Sequence, residues 1–151
     1  RTVPETGMVV VSDCVADIKN IHATNKQDVG LRLAKLATGM TCGQLASGYE
    51  SPVFNGMTVN KNKAVISFLH AENGLVCKDK QITGFMIADE DGVFEPCKAQ
   101  IKDNTFIVTS ARVKKPVTVR YCFDDATVGN LFNKEGLPVA PFRTDRNWNN
   151  E

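Results

Sequence analysis

His22 is the residue of this chain whose type and placement could do chemistry. It stands in Asn20-Ile21-His22-Ala23-Thr24-Asn25-Lys26-Gln27-Asp28, between a short apolar run and a helical pattern. Histidine's ordinary pKa lies closest to neutrality, so an imidazole held in such a loop can take up and return a proton as a general base. A lone loop histidine is more often simply solvated, and the weight given to His22 rests on what surrounds it.

Upstream, Met8-Val9-Val10-Val11 is a β-branched apolar run ending in the turn formers Ser12 and Asp13, the pattern of a strand buried on both faces of a parallel sheet. Downstream, Thr24 and Gln27 have capping-box spacing. Val29, Leu33, Leu36, Ala37 and Met40 recur at helical intervals, and Gly43 supplies the stop. Strand, loop and helix make one unit of an α/β sheet, and residues just beyond the carboxyl end of such a strand face the crevice where ligands bind. His22 falls there.

The run from Met8 to Ala37, with its Ile-His, Asn-Lys-Gln, Val-Gly and Arg-Leu-Ala, resembles the last block of the SGNH/GDSL-type esterases, and specifically the sialate O-acetylesterase family. Four later stretches continue the resemblance in order: Ile82 to Ala88, Asp91-Gly92, Pro116 to Tyr121, and Asn130 to Asp145 with its Gly136-Leu137-Pro138 and Pro141-Phe142-Arg143-Thr144-Asp145. In that family a serine set early in the chain attacks an acetyl ester on a sugar, and the histidine of the last block takes its proton. The resemblance therefore implies that His22 is the general base and, on the return, the general acid toward the departing sugar hydroxyl.

Two departures matter. The family commonly has an acid two residues before the histidine and proline after it, where this chain has Asn20 and Ala23. An asparagine can hydrogen-bond an imidazole but cannot stabilise an imidazolium as a carboxylate does, so Asn20 is the candidate orienter of His22 and a weaker one than an acid. Asp17 is the nearest upstream carboxylate, Lys19 stands where the wider superfamily often carries aspartate, and a backbone carbonyl or a carboxylate from the absent portion could serve instead. The serine block is absent. Gly43-Gln44-Leu45-Ala46-Ser47 follows the histidine helix, lacks the family's Ser-Asn pair, and reads as a helix stop and linker, so no nucleophile is assigned in this chain. The chain, which starts at Arg1, is expected to be the carboxyl-terminal part of a longer enzyme, inactive alone, with the serine on the missing amino-terminal portion.

After Gly48 the pattern alternates. Ala64 to Leu69, Ile82 to Ala88, Val93 to Ile101, Thr105 to Thr109 and Val117 to Phe123 are short strand candidates separated by Asn73-Gly74, Asp91-Gly92 and Asp103-Asn104. The expected fold is thus an α/β fragment (1–48) followed by a mostly antiparallel β-sandwich (49–145), predominantly β overall, with a frayed tail (146–151). Tyr49 to Gly56 reads as the link between the two, and the closing Gly136–Asp145 stretch as irregular. The first forty-odd residues are too few to fold alone.

Composition narrows the function classes. With 18 basic and 17 acidic side chains the net charge is +1, and no basic stripe or aromatic platform suggests nucleic acid. No apolar stretch approaches the roughly 20 residues of a membrane span. Cys14, Cys42, Cys77, Cys97 and Cys122 form no CxxC pair, and His22 and His70 are far apart, so neither a metal nor another cofactor is expected. Cys97 and Cys122, at alternating strand positions, read as buried free thiols, although a Cys77–Cys97 disulfide stays open. The partner expected is an acetylated sugar, and the resemblance alone places the protein as secreted, periplasmic or lysosomal. The alternative is a non-catalytic β-sandwich module with a structural or sugar-binding role.

Overall fold

A computed structural model describes residues 3–20, 22–42, 47–102 and 104–145. The chain is mostly antiparallel β with a single long helix among these residues, α1 (Lys26–Cys42). Ten strands follow it: β1 (Val53–Asn60), β2 (Lys63–Leu69), β3 (Leu75–Cys77), β4 (Phe85–Ala88), β5 (Glu95–Pro96), β6 (Lys98–Lys102), β7 (Thr105–Thr109), β8 (Thr118–Tyr121), β9 (Leu131–Asn133) and β10 (Phe142–Arg143). They form a four-stranded sheet in the order β1-β2-β7-β6, another in the order β10-β8-β4-β5, and a two-stranded ribbon of β3 and β9.

One core joins the sheets. Ala64, Ile66, Phe106 and Val108 from the first face the same apolar cluster as Phe85, Ile87, Val119, Tyr121 and Phe142 from the second. Its centre is aromatic: Phe85 lies 4.7 Å from Tyr121 and 5.6 Å from Phe106, centroid to centroid, with Phe68 edge-on to Phe106 at 5.3 Å. In β7 the alternation of half-buried and fully buried residues puts Phe106 and Val108 inward, the period-two pattern from which a half-buried strand is recognised.

Several sequence expectations need correction. Met8 to Val11 pairs with no strand among the described residues. Met8 is 77% exposed, and the Val10 carbonyl is taken by a side chain, Arg32, instead of a ladder neighbour. A β-branched run supplies propensity, but a strand exists only when another backbone lies alongside it. The link also ends sooner than expected, because β1 starts at Val53 and passes straight through Asn55-Gly56. Phe54 pairs with Phe68 and Gly56 with Ser67, so Asn55 is the extra residue of a β-bulge and not part of a turn.

The Val93–Ile101 run divides in two. Pro96 has no N–H to give a central strand and ends β5, the edge of the second sheet, while Lys98 opens β6, the edge of the first. The chain thus steps from one sheet edge to the other at Cys97. The closing segment is not wholly irregular: β10 pairs with β8, Thr144 N–H donates to the Val119 carbonyl at 3.1 Å, and Asp145 accepts from both Arg143 and Arg120. The Asn73-Gly74 and Asp91-Gly92 turns form as expected, with Gly74 and Gly92 at positive φ. Asp103, the Gly43 stop with Gln44 to Ala46, and the expected tail 146–151 lie outside the described residues.

The helix meets the β part through a close approach that only glycine permits. A Cβ on Gly39 would stand 2.4 Å from the Tyr49 ring. Farther on, Ala140 N–H donates to the Pro52 carbonyl at 2.9 Å, tying the segment before β1 to the closing stretch.

Candidate functional site

The helix that follows His22 is capped one residue later than the sequence pattern indicates. Asn25, not Thr24, is the cap: its Oδ1 accepts from the Asp28 N–H at 3.1 Å while its Nδ2 donates to the Asp28 carboxylate at 2.8 Å. Thr24 turns the other way and donates through Oγ1 to the Cys14 carbonyl at 3.3 Å. The Asn25 N–H reaches that same carbonyl at 3.1 Å. Cys14 therefore gathers both ends of the loop that carries His22 and closes it.

The buried face of α1 is also turned from the expected one. Arg32, Leu36 and Gly39 are buried, whereas Leu33 is 48% exposed and Ala37 is exposed. The reason is an ion pair. Arg32 lies one turn after Val29 and one before Leu36, and its guanidinium grips Asp13 with both ends, at 2.6 and 2.7 Å, while Nη1 also donates to the Val10 carbonyl at 2.7 Å. Burial by itself works to raise the Asp13 carboxyl, but the Arg32 hydrogen bonds and charge outweigh it and hold Asp13 below the usual carboxylate range. The clamp fixes the 10–13 segment to the helix, and so fixes the two stems of the His22 loop.

Within the loop, Asp17 and Asn20 serve the backbone. Asp17 Oδ1 accepts from the Lys19 N–H at 2.9 Å, and its carbonyl accepts from the Asn20 N–H at 2.9 Å. Asn20 Oδ1 in turn accepts from the His22 N–H at 3.0 Å. These are successive Asx turns, which give a loop a defined path without regular structure. Asn20 thus acts on the His22 main chain, while the His22 side chain stands exposed at the loop surface. Ile21, between them, lies outside the described residues. Sequence reasoning named His22 and Asn20 but missed Arg32, whose only signal was an arginine in an apolar helical register with an aspartate closing the preceding apolar run.

Beside this loop the β part contributes a second one. A crevice of about 250 Å³ lies between Ser12, Ile18 and Asn20 on one side and Cys122, Asp125 and Val128 on the other. Asp124 Oδ1 accepts from the N–H groups of Ala126 at 2.9 Å and Thr127 at 2.7 Å. The Thr127 and Ala126 hydrogen bonds hold its carboxyl below the ordinary value. At the back, burial pushes the Cys122 thiol up to about 11, and Cys122 adopts φ +45° with its N–H on the Gly84 carbonyl at 2.8 Å.

No three of the described histidine, cysteine and acidic residues come together as a metal site would require, and no described helix is long and apolar enough to cross a membrane.

No family model and no curated protein matches the chain. Among solved structures it is similar to the crystal structure of a carbohydrate acetylesterase from Xanthomonas citri, with 41% sequence identity and a TM-score of 0.78. The match covers 83% of this chain and 29% of that one, so the chain spans less than a third of the length of the acetylesterase it matches.

Proposed function

We propose that this chain is the carboxyl-terminal part of a serine-dependent carbohydrate O-acetylesterase of the sialate, SGNH/GDSL type, and that it contributes His22 as general base. The observation that carries the reading is the likeness to a carbohydrate acetylesterase at 41% identity over most of this chain. The closed loop between Cys14 and Asn25 adds to it, since it presents an exposed imidazole on an anchored backbone.

In this reading the serine hydroxyl, on the amino-terminal portion of the same enzyme, adds to the acetyl carbonyl as its proton passes to His22. Collapse of the tetrahedral intermediate expels the sugar oxygen, which takes that proton back. Water then repeats the two steps on the acetyl-serine, releasing acetate and restoring the serine. Asn20 positions the His22 main chain, and the ring is left to a backbone carbonyl or to a carboxylate of the amino-terminal portion. That portion would cover apolar side chains left exposed on the first unit, among them Met8, Leu31 and Leu33.

We place the unit boundary near residue 48, with the two sheets after it forming a sandwich that braces the catalytic part. A secreted, periplasmic or lysosomal location is proposed on the family resemblance alone, and fractionation of the source cells tests it.

The test of function is His22→Ala in the full-length enzyme against a chromogenic acetyl ester. Removing the base should lower kcat by at least about a thousandfold, as removal of a triad member does elsewhere. Because His22 is exposed, the variant should fold as the parent does. Activity retained within about tenfold would show that another residue is the base.

A further inference from the structure

We infer that the crevice between the His22 loop and the 122–128 loop holds the sugar portion of the ester, with Asp125 as the group that reads its hydroxyls. The inference rests on the esterase reading and deepens it, since it gives the β part a share in substrate choice.

Position is the first argument. One wall belongs to the segment that carries the proposed base: Asn20, which lines the crevice, is hydrogen-bonded to the His22 main chain. An ester whose acetyl group lies at His22 must place its alcohol portion within a few ångströms of that loop. Among the described residues the other wall comes from the β part.

Chemistry is the second. Ligand sites combine apolar surface with a few fixed polar groups. Ile18 and Val128, on opposite walls and both exposed, offer apolar surface to the C–H face of a sugar ring. An ionised carboxylate is an acceptor only, with two oxygens, and suits the paired donors of neighbouring ring hydroxyls. At about 250 Å³ the space lies just below the range of drug-sized ligand sites, which begins at about 300 Å³, and suits one ring and not an extended oligomer.

The third argument is the division of labour between the two aspartates. Asp124 is committed to its own loop through Ala126 and Thr127. Asp125, next to it on the crevice wall, has no hydrogen-bond or ion-pair partner among the described residues, so its carboxylate is available on a backbone that Asp124 already holds in place. A group fixed before the ligand arrives loses less on binding than one that must be ordered.

The test uses the full-length enzyme and two substrates, an O-acetylated methyl glycoside and a chromogenic acetyl ester without sugar. In Asp125→Asn the ratio of kcat/KM for the glycoside to kcat/KM for the sugar-free ester should fall about tenfold, the size of one hydrogen bond to a charged group. In Ala126→Trp, which fills the crevice from an exposed position, the ratio should fall at least as far. An unchanged ratio in either variant, whether from no loss or from an equal loss on both substrates, overturns the inference. If His22→Ala leaves turnover intact while the ratio still falls in Asp125→Asn, the base assignment fails and the crevice stands. If the parent hydrolyses neither ester, titration with the deacetylated methyl glycoside decides: weaker binding by Asp125→Asn supports the crevice, and no binding by the parent overturns it.

Discussion

Replacing Asp13 by alanine should loosen the element that holds the His22 loop, and the size of the effect can be worked from the geometry. Arg32 is 7% exposed and its guanidinium has two kinds of partner, the Asp13 carboxylate at 2.6 and 2.7 Å and the Val10 carbonyl at 2.7 Å. Asp13→Ala leaves the charge buried with only the carbonyl. Breaking one side of a buried pair costs about 3–5 kcal/mol, and the lower end applies because Asp13 keeps some exposure to water.

With a urea m-value of about 2 kcal/mol per molar, a loss of about 3 kcal/mol moves the midpoint down by about 1.5 M. The assay is urea unfolding followed by helical circular dichroism, because α1 is the one long helix among the described residues and it carries Arg32. Asp13→Ala combined with Arg32→Met should recover much of the loss, since a matched apolar replacement of a buried pair is often close to neutral.

The pH dependence has a definite sign. Asp13 is held below its ordinary value in the folded chain, so its contribution is fully present above about pH 4 and is withdrawn as pH falls through the lowered folded value. Asp13→Asn should therefore flatten the acid limb of the stability profile. A midpoint shift under about 0.3 M, or a double variant no better than the single, would refute the argument that the clamp organises this unit.

Two further outcomes follow from the same geometry. Asn25→Ala should cost about 1 kcal/mol of helix stability by removing the cap on Asp28, whereas Thr24→Ala should leave the helix start at Lys26; amide exchange over the first turn of α1 separates the two. Alkylation with iodoacetamide near pH 8, read by mass spectrometry, should modify exposed Cys42 first. Burial pushes Cys122 up to about 11 and Cys97 up to about 12, so both should react far more slowly.

How much was legible in the sequence varied with how local the information is. Spacing of the apolar residues identified α1, and period-two alternation located β2 and β7 almost to the residue. Such patterns encode which side of one element is buried. They do not say what a second element brings to it, and Arg32 could not be placed inward without knowing that Asp13 folds back to meet it. Asn55-Gly56 carried the signature of a turn, yet β2 alongside converted it into a bulge. The pairing of β10 with β8 was hidden for the same reason, because a two-residue strand carries no period of its own.

For the site, residue types and the family resemblance named His22, and the local Asx and cap chemistry around it was written in Asp17, Asn20 and Asn25. Those are contacts over two or three residues, which sequence spacing determines directly. The tertiary structure alone decided that Cys14 closes the loop, that Arg32 clamps its stems, and that residues a hundred positions away line a crevice beside it. Contacts at that separation depend on how the sheets and the helix pack, and no single stretch of chain contains that information.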